Sequence, residues 1–194
     1  MKIIFFGDSV TETGRDHDNQ TDLGKGYVKF AADELHRLSP ELQILNRGVG
    51  GDGVHQLTDR LQRDVLDEKP DAIILQVGVN DVWWRETEEN DFRSTYSALV
   101  ASLKATGATL IIVQPFALPV DDFGRLRPRL NIFNKMIGEI AKENGVPVIP
   151  MDEVFSGATD VPPTQFTVDG IHPTPHGHSC IADRIVEELK KSIK

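Results

Sequence analysis

Short runs of apolar residues alternate along the whole chain with segments in which apolar residues recur every three or four positions. The first run, Ile3 to Phe6, is unbroken, which is typical of a strand that is buried on both faces of a parallel sheet. Later runs of the same kind predict four more strands. The five predicted strands cover Ile3–Phe6, Leu42–Asn46, Ala72–Val77, Ala108–Val113 and Val146–Ile149.

The segments between these runs have the apolar spacing of helices, as in Tyr27, Ala31 and Leu35. Strands that alternate with helices predict βαβ units and an α/β fold with a parallel sheet between helices. No linker or internal repeat divides the chain, so residues 1–194 are predicted to form a single domain. The predicted helices cover Tyr27–Leu38, Val54–Val65, Glu88–Ala105, Leu130–Glu143 and His176–Lys191, and the predicted long loops cover Thr11–Asp22, Pro115–Pro128 and Ser156–His172.

The composition narrows the range of partners and compartments. The net charge of −9 argues against nucleic acid and against an anionic membrane surface, both of which need a basic protein face. No apolar run approaches the roughly 20 residues of a membrane-spanning helix. The single cysteine, Cys180, fits a reducing compartment. We therefore predict a cytoplasmic location, and the sequence leaves open whether the chain forms a homo-oligomer.

Ser9 follows the first strand directly, after the turn residues Gly7 and Asp8. In open α/β sheets, ligands bind at the carboxyl ends of the strands, which is where this turn would place the serine. The serine could cap a helix or act as a nucleophile. The choice depends on whether a base and an acid can reach it.

Asp169 lies three residues before His172 in a predicted loop. An aspartate at this spacing can accept the Nδ1 proton of the histidine, which leaves Nε2 free to act as a base. Taken alone, the pair could equally be an ordinary turn with an exposed histidine. Together with Ser9 it predicts a Ser-His-Asp triad.

A serine esterase also needs hydrogen-bond donors for the oxyanion of its intermediate. Gly50 and Gly51 follow the second strand and offer backbone N–H groups, and Asn80 follows the third strand and offers a side-chain amide. Each could instead belong to a simple turn. Because three strand ends deliver serine, glycine and asparagine to one edge, the oxyanion-hole interpretation is favoured.

Two other patterns compete with this interpretation. The segment 48–53 matches the glycine pattern of dinucleotide-binding turns, but it follows the second strand rather than the first. His172, His176 and His178 lie near Asp169 and suggest a metal site, but two histidines only two positions apart diverge on a helix. We therefore predict neither a cofactor nor a metal ion.

The segments Gly7-Asp8-Ser9, Gly51, Gly78-x-Asn80-Asp81 and Asp169-x-x-His172-Pro173 resemble the four sequence blocks of the SGNH hydrolases, also called GDSL esterases. The resemblance spans the chain in the order of the family, with Val10 in place of the usual leucine. It implies a three-layer α/β/α, flavodoxin-like fold with five parallel strands in the order 2-1-3-4-5. It further implies Ser9 as nucleophile, His172 as base, Asp169 as its partner, and an oxyanion hole formed by the Ser9 N–H, the Gly51 N–H and Asn80.

Within that family, Asn80-Asp81-Val82-Trp83 and Asn46-Arg47-Gly48 resemble carbohydrate acetylesterases most. The expected activity is therefore hydrolysis of small acyl esters, with acetylated oligosaccharides as the favoured small-molecule substrate. Trp83 is predicted to bind the substrate, as a wall for a sugar ring or for the acyl group, although it could equally be a core or interface residue. A thioesterase or lysophospholipase of the same family, and a non-catalytic sugar-binding domain on this scaffold, remain alternatives.

Overall fold

The computed structural model describes residues 1–156 and 161–192, and its centre is one parallel sheet. The strands lie in the order β2-β1-β3-β4-β5, and every neighbouring pair is parallel. This arrangement confirms the predicted fold class and strand order. The strands are β1 (Lys2–Gly7), β2 (Gln43–Gly48), β3 (Ala72–Gln76), β4 (Thr109–Val113) and β5 (Val148–Ile149).

Helices cover both faces of the sheet. The second helix of the chain packs against the last helix on one face, and the helices on either side of β4 pack against each other on the opposite face. No helix within the described ranges is long and apolar enough to cross a membrane. The helices are α1 (Ser9–Glu12), α2 (Tyr27–Leu38), α3 (Val54–Leu61), α4 (Val79–Trp83), α5 (Glu89–Ala105), α6 (Arg127–Asn144), α7 (Met151–Ser156) and α8 (Pro175–Ser192).

The apolar run of β1 is buried because its side chains feed two separate cores. Ile3 and Phe5 face the layer that contains α2 and α8, whereas Ile4 and Phe6 face the layer that contains α3 and α5. All four side chains are fully buried. Alternating side chains of one strand therefore hold both helical layers on the sheet, which fixes the end of β1 and the turn that follows it.

Several predicted boundaries differ from the structure at the ends of the strands. The predicted loop from Thr11 begins inside α1, and the segment with Asn80 and Trp83 forms α4 rather than a loop. Helices of four and five residues are too short to produce a readable apolar period. The helix predicted to end at Val65 finishes in a π-helical turn, Gln62–Leu66, and 3-10 turns lie within two predicted loops, at Asp121–Leu126 and Pro163–Gln165. Residues 157–160 of the last predicted loop lie outside the described residues.

Two glycines at the ends of β1 and β2 allow neighbouring backbone segments to approach closely. A Cβ atom on Gly7 would lie 2.4 Å from the carbonyl oxygen of Gln76, and one on Gly48 would lie 2.2 Å from the backbone nitrogen of Glu12. Real side chains do not tolerate such contacts. Glycine at position 48 therefore allows α1 to sit directly against the end of β2, and glycine at position 7 allows the end of β1 to lie close to β3 and to α1.

Candidate active site

Ser9 is the first residue of α1, at the carboxyl edge of the sheet. Asp8 caps this short helix, because its Oδ1 atom accepts a hydrogen bond from the backbone N–H of Val10 at 3.0 Å. Burial raises the pKa of the Asp8 carboxyl group to about 7, against the opposing effect of the Val10 hydrogen bond. Asp8 thus orients the turn from beneath and leaves the Ser9 side chain on the open side.

The structure brings Ser9, His172 and Asp169 together, although Ser9 and Asp169 are 160 positions apart in the chain. Ser9 Oγ lies 3.2 Å from His172 Nε2, and His172 Nδ1 lies 2.7 Å from Asp169 Oδ2. Because a carboxylate oxygen only accepts, the second contact places the proton of the neutral ring on Nδ1. His172 Nε2 is then free to accept the proton of the Ser9 hydroxyl group.

The turn that carries Asp169 and His172 is held from both sides. Asp169 Oδ1 accepts from the backbone N–H groups of Ile171 and His172 at 2.9 and 2.8 Å. Burial alone would raise the pKa of Asp169, but these hydrogen bonds and the His172 ring lower it below its usual range. Gly170 has a φ of 106° and accepts from the backbone N–H of Leu118 at 2.8 Å. The carboxylate is therefore kept charged and aimed at the ring.

Gly51 and Asn80, the other predicted donors, both lie against the Trp84 ring. Gly51 has a φ of 80°, a conformation that favours glycine. Asn80 Nδ2 donates to the carbonyl oxygen of Asp52 at 2.9 Å, which uses one of its two hydrogens. Within residues 1–156 and 161–192, neither the Ser9 N–H nor the Gly51 N–H has a hydrogen-bond acceptor. Three donors are thus available at one edge of the sheet.

Two residues that the sequence interpretation did not single out hold these donors in place. Trp84 Nε1 donates to Asn80 Oδ1 at 3.2 Å, so the oxygen of the amide is fixed and its nitrogen must point the other way. Arg85 donates to the carbonyl oxygen of Gly51 from Nε and Nη2, at 3.0 and 2.7 Å, and its guanidinium group lies 4.2 Å from the centre of the Trp84 ring. The separation of four positions between Asn80 and Trp84 would have indicated this contact had the segment been predicted as helical.

Asp81, the residue after Asn80, joins the third sequence block to the second. Both of its carboxylate oxygens lie 3.1 Å from the backbone nitrogen of Val54, at the start of α3, and Oδ1 also accepts from Thr87 Oγ1. Burial raises the pKa of this carboxyl group. Asp81 is therefore a structural link between the turn of Gly51 and the helix of Asn80.

Trp83 lies at the end of α4 and is 37% exposed. It makes an edge-to-face contact with Phe123, with ring centroids 4.6 Å apart. Trp84 is more exposed, at 52%, and is the one of the two that contacts the donor residues. Trp84 therefore borders the proposed donors, and substrate binding by Trp83 stays a prediction.

The two remaining histidines of the C-terminal segment have partners outside the proposed triad. His178 Nδ1 accepts from the backbone N–H of Tyr27 at 3.1 Å, and burial lowers the pKa of His178 to about 4. His176 stacks on Phe166 with ring centroids 5.3 Å apart. In the parts of the chain that the structure describes, no three His, Cys, Asp or Glu side chains are grouped so that they could hold a metal ion.

Known proteins resemble this chain in sequence and in fold. The sequence model of the GDSL-like Lipase/Acylhydrolase family matches residues 5–180. An acetylxylan esterase from Geobacillus stearothermophilus is 26% identical, with 97% of this chain and 93% of the relative covered, and an arylesterase from Vibrio mimicus is 22% identical over 99% of this chain and 90% of the relative.

A crystal structure of the Geobacillus enzyme superimposes with a TM-score of 0.88 at 26% identity, again covering 97% of this chain and 93% of that chain. Three further structures of that enzyme are catalytic mutants in which a serine, an aspartate or a histidine is replaced by alanine. The aspartate and the histidine lie three positions apart there, the same spacing as Asp169 and His172 here.

Proposed function

This chain belongs to the GDSL-like lipase/acylhydrolase family and is a carboxylic ester hydrolase, and from this premise we propose that Ser9 hydrolyses small acyl esters through a covalent acyl-enzyme. The observation that carries the proposal is the continuous pair of contacts from Ser9 Oγ to His172 Nε2 and from His172 Nδ1 to Asp169 Oδ2. The catalytic mutants of the Geobacillus relative support it, since they replace the same three residue types.

In the proposed reaction, Ser9 Oγ forms a bond to the ester carbonyl carbon while its proton moves to His172 Nε2. The resulting tetrahedral intermediate breaks its bond to the alcohol, which leaves with the proton from His172. A water molecule then gives a proton to His172 and attacks the acyl-serine. The carboxylic acid leaves as His172 returns its proton to Ser9 Oγ, and no cofactor takes part.

Asp169 makes this sequence of proton transfers favourable. Its charged carboxylate keeps the Nδ1 proton on the ring and stabilises the imidazolium that forms when Nε2 takes the serine proton. The lowered pKa of Asp169 means that it remains charged when His172 is neutral. Asp169 therefore acts through His172 and never needs to accept the proton itself.

The proposed oxyanion hole consists of the Ser9 N–H, the Gly51 N–H and the second amide hydrogen of Asn80. Donors that are fixed before the reaction stabilise the developing negative charge without reorganising. Trp84 and Arg85 supply that fixation, because each binds the oxygen atom of a donor residue and leaves its N–H group free.

For the substrate, we propose acetylated oligosaccharides. The acetylxylan esterase relative is similar over nearly the whole chain. The exposed ring of Trp84 contacts the proposed donor Asn80, and the partly exposed ring of Trp83 precedes it in the chain. Aromatic rings cover the apolar faces of sugars well, and a ring near the nucleophile also limits the length of the acyl group.

The nucleophile is tested by reacting the protein with an aryl phosphonate and locating the added mass. We expect labelling of Ser9 and loss of activity in Ser9→Ala, with an unchanged melting temperature. Ser102→Ala, a hydroxyl deletion on the exposed surface of α5, is the matched control and should keep its activity. Labelling at another residue, or full activity in Ser9→Ala, would refute the assignment, and sugar binding without any reaction would indicate a non-catalytic sugar-binding domain.

The substrate is tested with aryl esters of increasing chain length beside acetylated xylo-oligosaccharides, in the native protein and in Trp83→Ala. If Trp83 binds sugar, the variant should lose about ten-fold in kcat/KM on oligosaccharides and keep its rate on aryl acetates. If Trp83 closes the acyl pocket, the variant should gain activity on butyryl and longer esters. Preference for thioesters or lysophospholipids in the native protein would contradict the proposed substrate class.

A further inference from the structure

A polar pocket of about 400 Å³ lies beside the proposed active site, on the far side of the turn that follows β2. Val49 lines the pocket, whereas its neighbour Gly50 faces Ser9, since a Cβ atom on Gly50 would lie 3.8 Å from Ser9 Cβ. This turn therefore lies between the pocket and Ser9. Other lining residues include His17, the basic side chains of Arg15, Arg47 and Arg63, and the carboxylates of Asp64 and Glu68.

The carboxylates of this pocket already have partners. Glu68 accepts from Lys2 Nζ at 2.7 Å and from Arg47 Nη2 at 3.2 Å. Asp64 accepts from Arg60 Nη1 at 2.8 Å and from Arg63 Nε at 2.6 Å. Arg60 Nε also donates to Asp52 Oδ2 at 2.7 Å. Three carboxylates therefore face four basic side chains, before Arg15 and Glu12 are considered.

Glu12, at the end of α1, is also engaged. Its Oε1 atom lies 2.7 Å from His17 Nε2, and His17 Nδ1 lies 2.9 Å from Arg15 Nη2. Because an arginine can only donate, His17 Nδ1 accepts from Arg15, and Nε2 carries the ring proton that is donated to Glu12. His17 therefore bridges Glu12 and Arg15, and the carboxylate and the guanidinium group do not contact each other directly.

Arg15 has no carboxylate partner among the described residues. Its Nη2 atom donates to His17 and to the carbonyl oxygen of Gly48, at 2.9 and 3.2 Å, and its Nε atom is buried without any acceptor. Burial, followed by the charge of Arg47, lowers the pKa of Arg15. With Arg15 and Glu12 included, five basic side chains stand against four carboxylates around the pocket. This leaves an excess of one positive charge in a chain whose net charge is −9.

We propose that this pocket is a subsite for the carboxylate of an acidic sugar, such as a uronic acid carried by the acetylated oligosaccharide. This inference rests on the proposed function, since it places the acidic sugar beside the acetyl group that Ser9 attacks. A guanidinium group matches a carboxylate in shape and charge. An excess of about one positive charge, next to the carboxylates of Asp64 and Glu68, favours a monoanion over a phosphate dianion.

The test compares two acetylated xylo-oligosaccharides that differ only in a glucuronic acid side group. In the native protein we expect a higher kcat/KM for the acidic substrate and loss of this preference in high salt, because ions screen the contact. Arg15→Gln should lower kcat/KM for the acidic substrate by roughly ten-fold or more, as expected for a lost charge-assisted hydrogen bond. The neutral oligosaccharide and aryl acetates should change by no more than about two-fold.

Arg184→Gln is the matched control, because it removes the same charge from the exposed surface of α8, where Arg184 pairs with Glu187. Arg63→Gln provides a second variant that should fold normally, since the Arg63 side chain is 75% exposed. It should reduce the preference for the acidic substrate in the same direction. Equal losses on acidic and neutral substrates, or the same effect in Arg184→Gln, would overturn the proposal.

Binding of glucuronic acid, followed by NMR of the backbone amides, tests the pocket without catalysis. We expect shifts at Arg15 and Val49 with glucuronic acid and none with glucose, and equal binding of inorganic phosphate would overturn the sugar-acid assignment. If the native protein hydrolyses no ester but binds glucuronic acid at these residues, the proposed function fails and the pocket stands. If it hydrolyses esters with no preference for the acidic substrate, the pocket assignment fails and the proposed function stands.

Discussion

Trp84→Phe offers a sharp test of how the proposed oxyanion hole is held together. The substitution keeps an aromatic ring beneath the Arg85 guanidinium group but removes the Nε1–H that donates to Asn80 Oδ1 at 3.2 Å. The remaining hydrogen bond of the Asn80 side chain, from Nδ2 to the carbonyl oxygen of Asp52, still opposes a flip of the amide. We therefore expect the amide to become less well aligned, not reversed.

The magnitude follows from the loss of one hydrogen bond. A net contribution of about 0.5–1.5 kcal/mol corresponds to a fall in kcat of roughly two- to thirteen-fold. KM should change little, because the Asn80 N–H gains strength mainly as the oxyanion forms. Asn80 is 2% exposed, so its oxygen cannot easily find water as a substitute and a modest drop in melting temperature should accompany the change.

A double-mutant cycle separates positioning from other effects of the indole ring. Asn80→Ala removes the donor and should lower kcat by roughly a hundred- to a thousand-fold. In that background, Trp84→Phe should have no further effect on kcat, because the residue it positions is absent. Rates are measured on an aryl acetate, with active sites counted by phosphonate titration. An equal fall in kcat in both backgrounds, or a change in KM alone, would refute the positioning role.

Two further predictions concern carboxyl groups of the site. Asp169→Asn should lower kcat on aryl acetates by about ten-thousand-fold, because an amide in that place favours the wrong tautomer of His172; a loss of less than ten-fold in a folded variant would contradict the proposed role. The pKa of Asp8 is raised to about 7, so between about pH 4 and pH 7 the native state binds more protons than the unfolded state. The free energy of unfolding should therefore fall as the pH rises through this range, by up to about 4 kcal/mol from this group. Asp8→Asn should remove that loss. Denaturation of both proteins at pH 5 and pH 8 should therefore show that the variant becomes more stable relative to the native protein at the higher pH; an equal stability difference at both pH values would contradict the raised pKa.

The sheet could be predicted from the sequence because each strand is marked by a short apolar run with turn residues after it. The run Ile3–Phe6 feeds both cores, so its residues must all be apolar, and the pattern is easy to read. The candidate triad was also predictable, since Asp169 and His172 are only three residues apart. Local patterns therefore indicated both the strand ends and the chemistry placed on them.

The support around the site was not predictable in the same way. Asn80 and Trp84 lie one helical turn apart, but α4 has only five residues, too few to show a helical period. Arg85 reaches Gly51 across 34 positions of sequence, and no local pattern marks such a pair. Trp83 was predicted to bind substrate from its position three residues after Asn80 and from the resemblance of this segment to carbohydrate acetylesterases. Its contact with Phe123 depends on the tertiary fold.

The close packing of the first two turns links the proposed nucleophile to the proposed acidic-sugar subsite. Because Gly48 has no side chain, the backbone of Glu12 can lie against it, and α1 is carried up to the turn of Gly51. The same approach brings Arg15, three residues beyond Glu12, within 3.2 Å of the Gly48 carbonyl oxygen. A larger residue at position 48 would push α1 away from this turn. It should therefore disturb Ser9 and Arg15 together, so catalysis and recognition of an acidic sugar depend on one backbone contact.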